Sequence, residues 1–338
     1  MPDPTLGAGF ARALMELAVS KGADRKLLAA RSEIDPADLQ DQDNRIPFAK
    51  FVALMRVSKE MCNDPALGLH FGEAFEIGEL SVVGLVGGAS ETMAEGFARV
   101  NRYARLAVEI AGAETGDRYQ LKRGARQLWI VDTRPNANDF IEMTESSFAR
   151  MVCAARRHFG EKHFVKAVHF THADPGYRAE YDRIFQAPVV FESDKNALLT
   201  DDKWLTQRTA PSSRYLHAIL SAHAEDLLKS LESSKTTKGR VESVLMSSLH
   251  TGDASMGTVA DRLEVSRQTL FRRLKAEGAT FEKVLDELRH KMALHYLSEK
   301  KVSVSETAYL VGFSEPAAFS RAFKRWTGAS PREARVKD

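Results

Sequence analysis

A structural unit occurs twice in the last third of this 338-residue chain, and the repeat constrains the fold more than any other feature of the sequence. Ala260 and Ala308 each precede a serine, Ser266 or Ser314, by six positions. An apolar-x-Arg-x-apolar-Lys pattern follows each serine, one residue later in the second copy than in the first. The apolar side chains of both copies have helical spacing. We therefore expect an all-α domain built from two copies of one helical motif.

Start and stop signals divide each copy into two helices with a short turn between them. Thr258 with Asp261, and Ser303 with Glu306, have the spacing of capping boxes and predict where the leading helices begin. Gly312 supplies a left-handed stop in the second copy. Each copy is therefore interpreted as helix, turn and helix.

The serines and alanines of the repeat have separate roles in this interpretation. Ser266 and Ser314 are predicted to cap the second helices. Ala260 and Ala308 are small where two helices must cross closely. Two ordinary helical hairpins of a bundle would show similar signals. The duplicated spacing and the basic outer faces favour a pair of DNA-binding helix-turn-helix motifs.

Helical spacing separates a core side from a reading side in the first copy. Leu270 and Leu274 lie one turn apart and are expected to face the core. The side chains predicted to face DNA are Arg267, Gln268, Phe271, Arg272 and Lys275. In a major groove, Arg suits guanine, Gln suits adenine and an apolar ring suits the thymine methyl group, whereas a terminal lysine suits phosphate. A core position for Phe271 is the alternative.

The same analysis predicts a second reading face that recognises less sequence. Phe319 and Phe323 are expected to face the core. The side chains predicted to face DNA are Pro316, Ala317, Ser320, Arg321 and Lys324. Proline and alanine side chains donate no hydrogen bonds, so Ser320 and Arg321 are the predicted donors to base edges and Lys324 a backbone contact. One helix over residues 281–297, about 26 Å long, would separate the two readers. Their reading helices would then suit successive major grooves, about 34 Å apart.

The N-terminal part of the chain mixes both types of secondary structure, which predicts an α+β domain with a small sheet and many helices. The predicted helices cover residues 48–61, 95–110 and 142–159. The predicted strands are a hairpin of residues 118–122 and 127–132 turning at Gly124, and residues 166–172 and 188–192.

A polar run at residues 233–239 contains no apolar side chain and is interpreted as a linker or an exposed loop. It separates a predicted effector-sensing and dimerisation domain, residues 1–232, from a predicted DNA-binding domain, residues 240–338. From residue 239 onward the chain has 17 basic and 13 acidic residues, a net charge of +4, against −2 for the remainder. This asymmetry is typical of a sensor joined to a nucleic-acid reader, although a difference of this size also arises by chance.

Composition argues against several other classes of protein. Cys62 and Cys153 are too few for a disulfide framework or a four-cysteine zinc site, and they indicate a reducing compartment. The first residues lack a basic segment and Glu16 interrupts their apolar run, so no signal peptide is expected. No run approaches the roughly 20 apolar residues of a membrane span. We expect a cytoplasmic protein without membrane association.

No motif for a metal, a cofactor or catalysis emerges, so none of these is expected. Four histidines invite a metal interpretation but lack a recognised ligand spacing: His158, His163, His169 and His172. The last two, three apart on an alternating strand, would face opposite sides. Three glycines fit neither GxGxxG nor a P-loop and suit close helix packing or a turn: Gly84, Gly87 and Gly88. Cys153 lies in a helical stretch, where buried packing suits it better than nucleophilic catalysis.

The C-terminal hundred residues resemble the AraC/XylS transcriptional regulators. The resemblance rests on Ala-x-x-Leu-x-Val-Ser-x-x-x-Leu-x-Arg-x-Leu-Lys from residue 260 and on Val-Gly-Phe-Ser-Glu-Pro-Ala-Ala-Phe-Ser-Arg-Ala-Phe-Lys over residues 311–324. It implies two helix-turn-helix units, transcriptional activation near RNA polymerase, and the same base-facing positions that periodicity selects. Phe271 departs from the family, in which a polar residue is common at this position.

The N-terminal part resembles the arabinose-binding-like effector domain of one branch of that family. The matching segments begin with Gly-Glu-Leu-Ser-Val-Val-Gly-Leu-Val-Gly-Gly-Ala at residue 78 and include Val-His-Phe-Thr-His-Ala-Asp-Pro at residue 168. The resemblance spans most of residues 20–205 and implies a ligand-sensing domain that often forms dimers. It does not identify the ligand.

Together these features predict an effector-responsive activator that binds double-stranded promoter DNA as a homodimer. A ligand-independent architectural protein or repressor is the alternative. Three aromatic side chains near polar Asn101 and Arg102 are candidates for an effector pocket, with core packing as the other role for each: Tyr103, Trp129 and Phe140.

Overall fold

The computed structural model describes residues 3–109, 117–124, 127–160, 164–208, 214–298 and 302–336. The chain forms two compact units, Met1–Leu228 and Lys229–Asp338. Among the described residues, no helix combines the length and the apolar character required to cross a bilayer.

The first unit is α+β, as predicted. Its helices are α1 (Ala8–Ser20), α2 (Arg25–Ser32), α3 (Phe48–Met61), α4 (Leu67–Ala74), α5 (Ile77–Leu80), α6 (Val82–Gly88), α7 (Met93–Arg102), α8 (Ala104–Ala107), α9 (Ile141–Phe159), α10 (Arg178–Phe185) and most of α11 (Arg214–Lys235). Its strands are β1 (Thr5–Gly7), β2 (Arg45–Pro47), β3 (Tyr119–Gly124), β4 (Gln127–Asp132), β5 (Val165–His169), β6 (Val189–Val190) and β7 (Asn196–Thr200).

A five-stranded sheet with the order β3-β4-β7-β5-β6 lies beside the long helix α9. All neighbouring strands are antiparallel except β5 and β6. Helix α4 packs closely along α9, because a Cβ at Gly72 would lie 2.3 Å from the carbonyl oxygen of Ser146. Helix α9 is therefore enclosed on several sides and forms the centre of this unit.

The predicted helices at 48–61 and 142–159 and the predicted hairpin are confirmed by α3, α9, β3 and β4. The hairpin turn includes residues 125–126, which lie outside the described residues. The single helix predicted for residues 95–110 is wrong: Tyr103 separates α7 from α8, and Val108 forms a β-bridge with Leu6. Residue 110 is also outside the described residues.

Two strand predictions were too long, and one central strand was missed. Strand β5 ends at His169, and β6 contains only Val189 and Val190. Strand β7 pairs with both β4 and β5, although its sequence Asn-Ala-Leu-Leu-Thr alternates weakly. Its position between two partners, rather than its own pattern, makes it a strand.

The second unit is helical, as predicted for the DNA-binding part. Its helices are α12 (Thr237–Ser248), α13 (Met256–Arg262), α14 (Arg267–Ala276), α15 (Phe281–Ser298), α16 (Val304–Leu310), α17 (Pro316–Thr327) and α18 (Pro331–Val336). A single 3₁₀ turn, Leu249–Thr251, follows α12.

Residues 233–239, which were interpreted as a loop, are helical except at Thr236. The Thr236 hydroxyl accepts a hydrogen bond from the amide of Gly239 at 2.9 Å and caps α12. A Cβ at Gly239 would lie 1.9 Å from the carbonyl oxygen of Ser233, so the two helices meet in a tight bend. Serine, lysine and threonine permit a helix even in a run without apolar residues, which explains why this segment is helical and not a loop. The proposed domain limits of 1–232 and 240–338 remain a prediction.

Glu145 is fully buried in α9, where its Oε1 accepts hydrogen bonds from the hydroxyl groups of Tyr177, at 2.7 Å, and Tyr181. Its Oε2 is buried without a hydrogen-bond partner among the described residues. Burial raises the pKa of Glu145 to about 7, although the two tyrosine hydroxyl groups oppose this shift. The protonated acid is therefore favoured in the folded chain over the unfolded chain.

This pKa predicts that Glu145 makes the fold less stable as the pH rises. The carboxyl has a raised pKa in the folded state, so its stabilising contribution is complete in acid and is lost as the pH rises to about 7. Between pH 5 and 8, the free energy of unfolding of the wild type should fall by about 2–3 kcal/mol relative to Glu145→Gln. Urea unfolding at both pH values measures this difference. The exposed Glu91→Gln is the control, and parallel pH dependences for wild type and Glu145→Gln would contradict the assignment.

Candidate nucleic-acid interface

The first helix-turn-helix consists of α13 and α14. The Ser266 hydroxyl accepts a hydrogen bond from the amide of Thr269 at 3.1 Å, which confirms the predicted cap of α14. The cap predicted at Thr258 is wrong, because α13 begins two residues earlier and Ser255 caps it through the Thr258 amide at 3.1 Å. The Thr258 hydroxyl instead contacts Asp253 Oδ1 at 2.8 Å. The hydroxyl groups of Ser255 and Thr258 also lie 3.0 Å apart, a pairing outside the usual capping-box pattern, in which the third residue on is Glu or Gln.

The second helix-turn-helix consists of α16 and α17. Ser303 and Glu306 form the predicted capping box, and Gly312 has the left-handed φ of +79° that was expected. The cap predicted at Ser314 is wrong, since the residue before α17 is Glu315 and its side chain makes no capping hydrogen bond. Pro316 occupies the first turn, where its fixed φ starts the helix.

The predicted core residues anchor each reading helix. Leu270 and Leu274 of α14, and Phe319 and Phe323 of α17, are buried. Phe271 is 56% exposed, which excludes its alternative role as a core residue. The other proposed contacts in α14 are also exposed: Arg267, Gln268, Arg272 and Lys275. In α17, Ala317, Arg321 and Lys324 are exposed, and Pro316 and Ser320 are half-buried.

Two of these side chains have contacts within the chain that affect what they can donate. A Cβ at Gly257 would lie 2.4 Å from Arg267 Nη2, so the Arg267 guanidinium rests against the backbone of α13. The Ser320 hydroxyl donates to the carbonyl oxygen of Pro316 at 2.9 Å. For the other proposed contacts of α14, the described part of the chain shows no such contact with the helix in front: Gln268, Phe271, Arg272 and Lys275.

Helix α15 connects the two motifs through two successive cores. Val284 and Leu288 in its first half pack in the core that contains Leu270 and Leu274. Ala293 and Leu297 in its second half pack in the core that contains Phe319 and Phe323. The predicted single connecting helix is thus confirmed, with 18 residues or about 27 Å.

Arg289 of α15 holds the turn of the second motif, a role that the sequence analysis missed. Its Nε donates to the carbonyl oxygen of Val311 at 3.1 Å, and its Nη2 donates to that of Gly312 at 3.0 Å. Its guanidinium also lies 4.6 Å from the ring centroid of Phe313. These contacts satisfy carbonyl groups that the end of α16 leaves free.

The three aromatic residues considered for an effector pocket do not share one site. Phe140 packs edge-on against Phe51 at 6.2 Å, and Tyr103 is buried. Trp129 is half-buried on β4 and packs edge-on against His169 at 5.0 Å. Core packing therefore describes Phe140 and Tyr103.

The other sequence signals have structural roles. Cys153 is buried, and burial raises the pKa of its thiol, which disfavours the thiolate that a nucleophile requires. A Cβ at Gly84 would lie 2.3 Å from the backbone of Gly78, and one at Gly87 would lie 2.7 Å from Val100, which confirms close packing. Gly88 has open space around its Cα.

The histidines also contact protein groups. Nδ1 of His169 lies 2.9 Å from Ser193 Oγ, and Nδ1 of His172 lies 2.8 Å from the carbonyl oxygen of Ala173. His169 and His172 do not lie on one strand, contrary to the prediction, because β5 ends at His169. His158 lies 2.8 Å from a Glu76 oxygen, and His163 lies outside the described residues.

Two helix-turn-helix motifs on one connecting helix, beside a separate α+β unit, define a DNA-binding regulator. Residues 22–209 match the family described as "Arabinose-binding domain of AraC transcription regulator, N-term", and residues 259–337 match "Helix-turn-helix domain". The first match covers more than half of the chain. The chain belongs to the AraC family of transcription regulators, and it is an effector-responsive DNA-binding regulator.

Curated relatives match along nearly the whole chain. The ornithine utilization regulator of Pseudomonas aeruginosa is 26% identical over 327 residues, which cover 96% of this chain and 95% of the relative. The transcriptional regulator VirS of Mycobacterium tuberculosis is 26% identical over 318 residues, covering 93% and 92%. The crystal structure of transcriptional regulator CdpR from Pseudomonas aeruginosa covers 92% of this chain and 96% of its own, with 20% identity and a TM-score of 0.41.

The contacts of Arg289 predict that its loss loosens the second motif selectively. Arg289→Met removes two charged hydrogen bonds and a cation–π contact, which should destabilise α16 and α17 by about 2–3 kcal/mol. Hydrogen exchange of residues 304–327 in the full chain should become faster, whereas exchange in α14 should change little. Lys291→Met, an exposed substitution on the same helix, is the control. Equal exchange in both variants would show that Arg289 does not hold the turn.

Proposed function

We propose that this chain is a transcriptional activator that places α14 and α17 in successive major grooves of promoter DNA. The observation that carries the proposal is that both helices bury an apolar face against α15 and leave the predicted reading face accessible. A helix of about 27 Å between the two cores suits two readers separated by one turn of DNA, about 34 Å.

The proposed contacts of α14 follow from the chemistry of its exposed side chains. Arg272 pairs with a guanine edge and Gln268 with an adenine edge, while Phe271 contacts a thymine methyl group. Arg267 contacts a base after its guanidinium leaves the backbone of α13. Lys275, at the end of the helix, contacts phosphate.

Helix α17 is proposed to read fewer bases. Pro316 and Ala317 contribute only apolar contact. Arg321 is its main donor to a base edge, since the Ser320 hydroxyl already donates to a backbone carbonyl. Lys324 contacts phosphate. The first motif therefore supplies most of the sequence preference.

Substitution of the reading side chains tests this arrangement. Arg272→Ala and Arg321→Ala should each cost about 1–3 kcal/mol of binding free energy and relax the preference at one base position. Lys275→Ala and Lys324→Ala should weaken binding to all sequences and lower the salt slope by about one unit. Titrations with single-base operator variants at two salt concentrations measure both effects.

Arg273 provides a matched control for these titrations. It is exposed on the same helix, about 100° around the axis from Arg272 and about 140° from Gln268, so Arg273→Ala should leave base preference unchanged. A loss of affinity in Arg272→Ala that is uniform over all operator sequences would contradict direct base contact. Equal tolerance of base changes in both half-sites would contradict the greater role of α14.

We further propose that the chain acts as a homodimer formed through its first unit. In α11 of this unit, Tyr215 is 77% exposed and Ile219, one turn later, is 47% exposed. Large apolar side chains grouped on one helix are typical of a surface that another protein covers. A second copy would add a second pair of readers and raise the affinity for repeated sites.

A charged side chain introduced among these exposed apolar residues of α11 should therefore dissociate the homodimer. Ile219→Glu is expected to shift the sedimenting species from dimer to monomer and to weaken binding to repeated operators, while binding to a single site changes little. Leu27→Glu, at a side chain that is also 47% exposed in the same unit, should leave the dimer intact. A wild-type monomer both free and on a full operator would overturn the proposal.

Activation, as opposed to repression or an architectural role, is tested by transcription in vitro. With RNA polymerase as partner, the activator proposal requires more transcript when the chain occupies its operator. A small-molecule effector changes that output, and the protein acts in the cytoplasm where the DNA lies. Less transcript, or a response independent of any ligand, would favour the alternatives.

A further inference from the structure

One face of α9 carries polar side chains at successive helical turns, and all of them are buried. Thr144, Ser147 and Arg150 are separated by three residues each and therefore share this face. A buried polar stripe requires partners, because an unpaired polar group inside a protein costs free energy.

The partners are two arginines from the open end of the β3–β4 hairpin. Arg134 Nη2 donates to the Thr144 hydroxyl at 2.8 Å, and Arg118 Nη2 donates to the Ser147 hydroxyl at 3.0 Å. Arg150, one turn further along α9, supplies the third guanidinium, whose Nε donates to the carbonyl oxygen of Phe75 at 3.0 Å. We call Arg118, Arg134 and Arg150 the arginine cluster.

Among the described residues, one carboxylate lies within ion-pair distance of the arginine cluster. Asp139 and Glu79 act on Arg134 and Arg150 from further away. Asp132 Oδ2 lies 3.7 Å from Arg118 Nη2, and both side chains are buried. Within the parts of the chain that the structure describes, neither Arg134 nor Arg150 has a carboxylate within 4 Å. Arg134 Nη2 also donates to the carbonyl oxygen of Phe140 at 3.2 Å.

Each guanidinium also retains an N–H group that nothing accepts. Arg118 Nε, Arg134 Nε and Arg150 Nη2 are buried without a hydrogen-bond partner among the described residues. Tyr119 offers its ring to Arg118 at 4.8 Å, and Phe71 offers its ring to Arg150 at 5.2 Å. Such ring contacts offset part of the desolvation cost but accept no in-plane N–H bond.

A buried arginine does not avoid the cost of burying its charge by losing a proton. Burial, together with the charge of Arg118, lowers the pKa of Arg134 and Arg150 to about 10, so both remain charged at neutral pH. An uncompensated buried charge costs several kcal/mol. An anion that accepts a hydrogen bond from a free N–H group of this cluster offsets part of this cost.

We propose that the arginine cluster binds the carboxylate of a small organic acid, which serves as the effector. A planar carboxylate matches guanidinium donors in pairs. The rings of Phe10, Phe71 and Tyr119 beside the guanidinium groups suit a hydrocarbon body attached to that carboxylate. The regulatory consequence rests on the proposed function, whereas the binding site itself does not.

Calorimetric titration of the full chain with matched probes tests the site. Butyrate and glutarate should bind in a saturable manner and raise the midpoint of thermal unfolding. Butyramide, which is neutral and has nearly the same shape as butyrate, should do neither. Inorganic phosphate distinguishes a carboxylate site from a general oxyanion site.

Arg150→Met separates binding from a structural role. Loss of this guanidinium should weaken butyrate binding by roughly 10- to 100-fold. The substitution also removes the hydrogen bond from Arg150 Nε to the carbonyl oxygen of Phe75, at 3.0 Å, so the deciding measurement is the affinity for butyrate and not the midpoint of unfolding of the ligand-free chain. A purely structural arginine would lower that midpoint and leave the butyrate affinity of the folded chain unchanged. Arg150→Lys, which keeps the charge without the planar donors, provides a second variant if the first fails to fold.

Different results of these experiments contradict the carboxylate assignment, the site itself and the effector role. Binding of phosphate but not of butyrate or glutarate would overturn the carboxylate assignment, and equal effects of butyrate and butyramide would overturn the site. Operator binding by Arg150→Met tests the proposed function separately, because α14 and α17 are intact in this variant. Specific operator binding that butyrate and glutarate do not change, in spite of tight binding, would overturn the effector role.

Discussion

The packing of α15 into two hydrophobic cores is the interaction on which the DNA-binding unit depends. Leu288 lies in the core beneath α14 and Ala293 in the core beneath α17, while Met292 contacts both cores. Because one continuous helix joins them, the distance between the readers follows from helical rise and not from the conformation of a loop. Arg289 adds a clamp on the turn before α17. The two motifs therefore share one continuous helix as their scaffold.

The start of this unit is tied to the end of the first reading helix. The carboxylate of Glu277, which follows α14, accepts hydrogen bonds from the amides of Thr237 at 2.7 Å and Lys238 at 2.9 Å. Glu287 of α15 pairs with Lys238 at 2.6 Å. These contacts tie the N-terminus of α12 directly to the residue that follows α14 and to α15.

Helix α9 organises the first unit by a different principle, since polar side chains occupy much of its buried surface. Glu145 is able to adapt to burial because a carboxyl group can hold a proton, and burial raises its pKa to about 7. Arg150 remains charged at neutral pH, because its pKa is lowered only to about 10. One helix therefore combines a buried acid whose pKa is raised with a buried arginine that stays charged. This contrast is the physical reason for proposing a ligand site in the unit that matches the arabinose-binding domain.

The sequence by itself determined the features that depend on neighbours three or four residues apart. Leu270 and Phe319 were assigned to the cores, and Ser303 was assigned as a cap, because helical periodicity and capping are local. The residue before the helix differs from the predicted cap by three positions at α13, where Ser255 replaces Thr258, and by one position at α17, where Glu315 replaces Ser314. Only the tertiary structure decided that β7 is a central strand and that Arg118 and Arg150 share one buried cluster. Those residues lie far apart in the chain, and their partners and their dielectric surroundings exist only once the sheet has packed against α9.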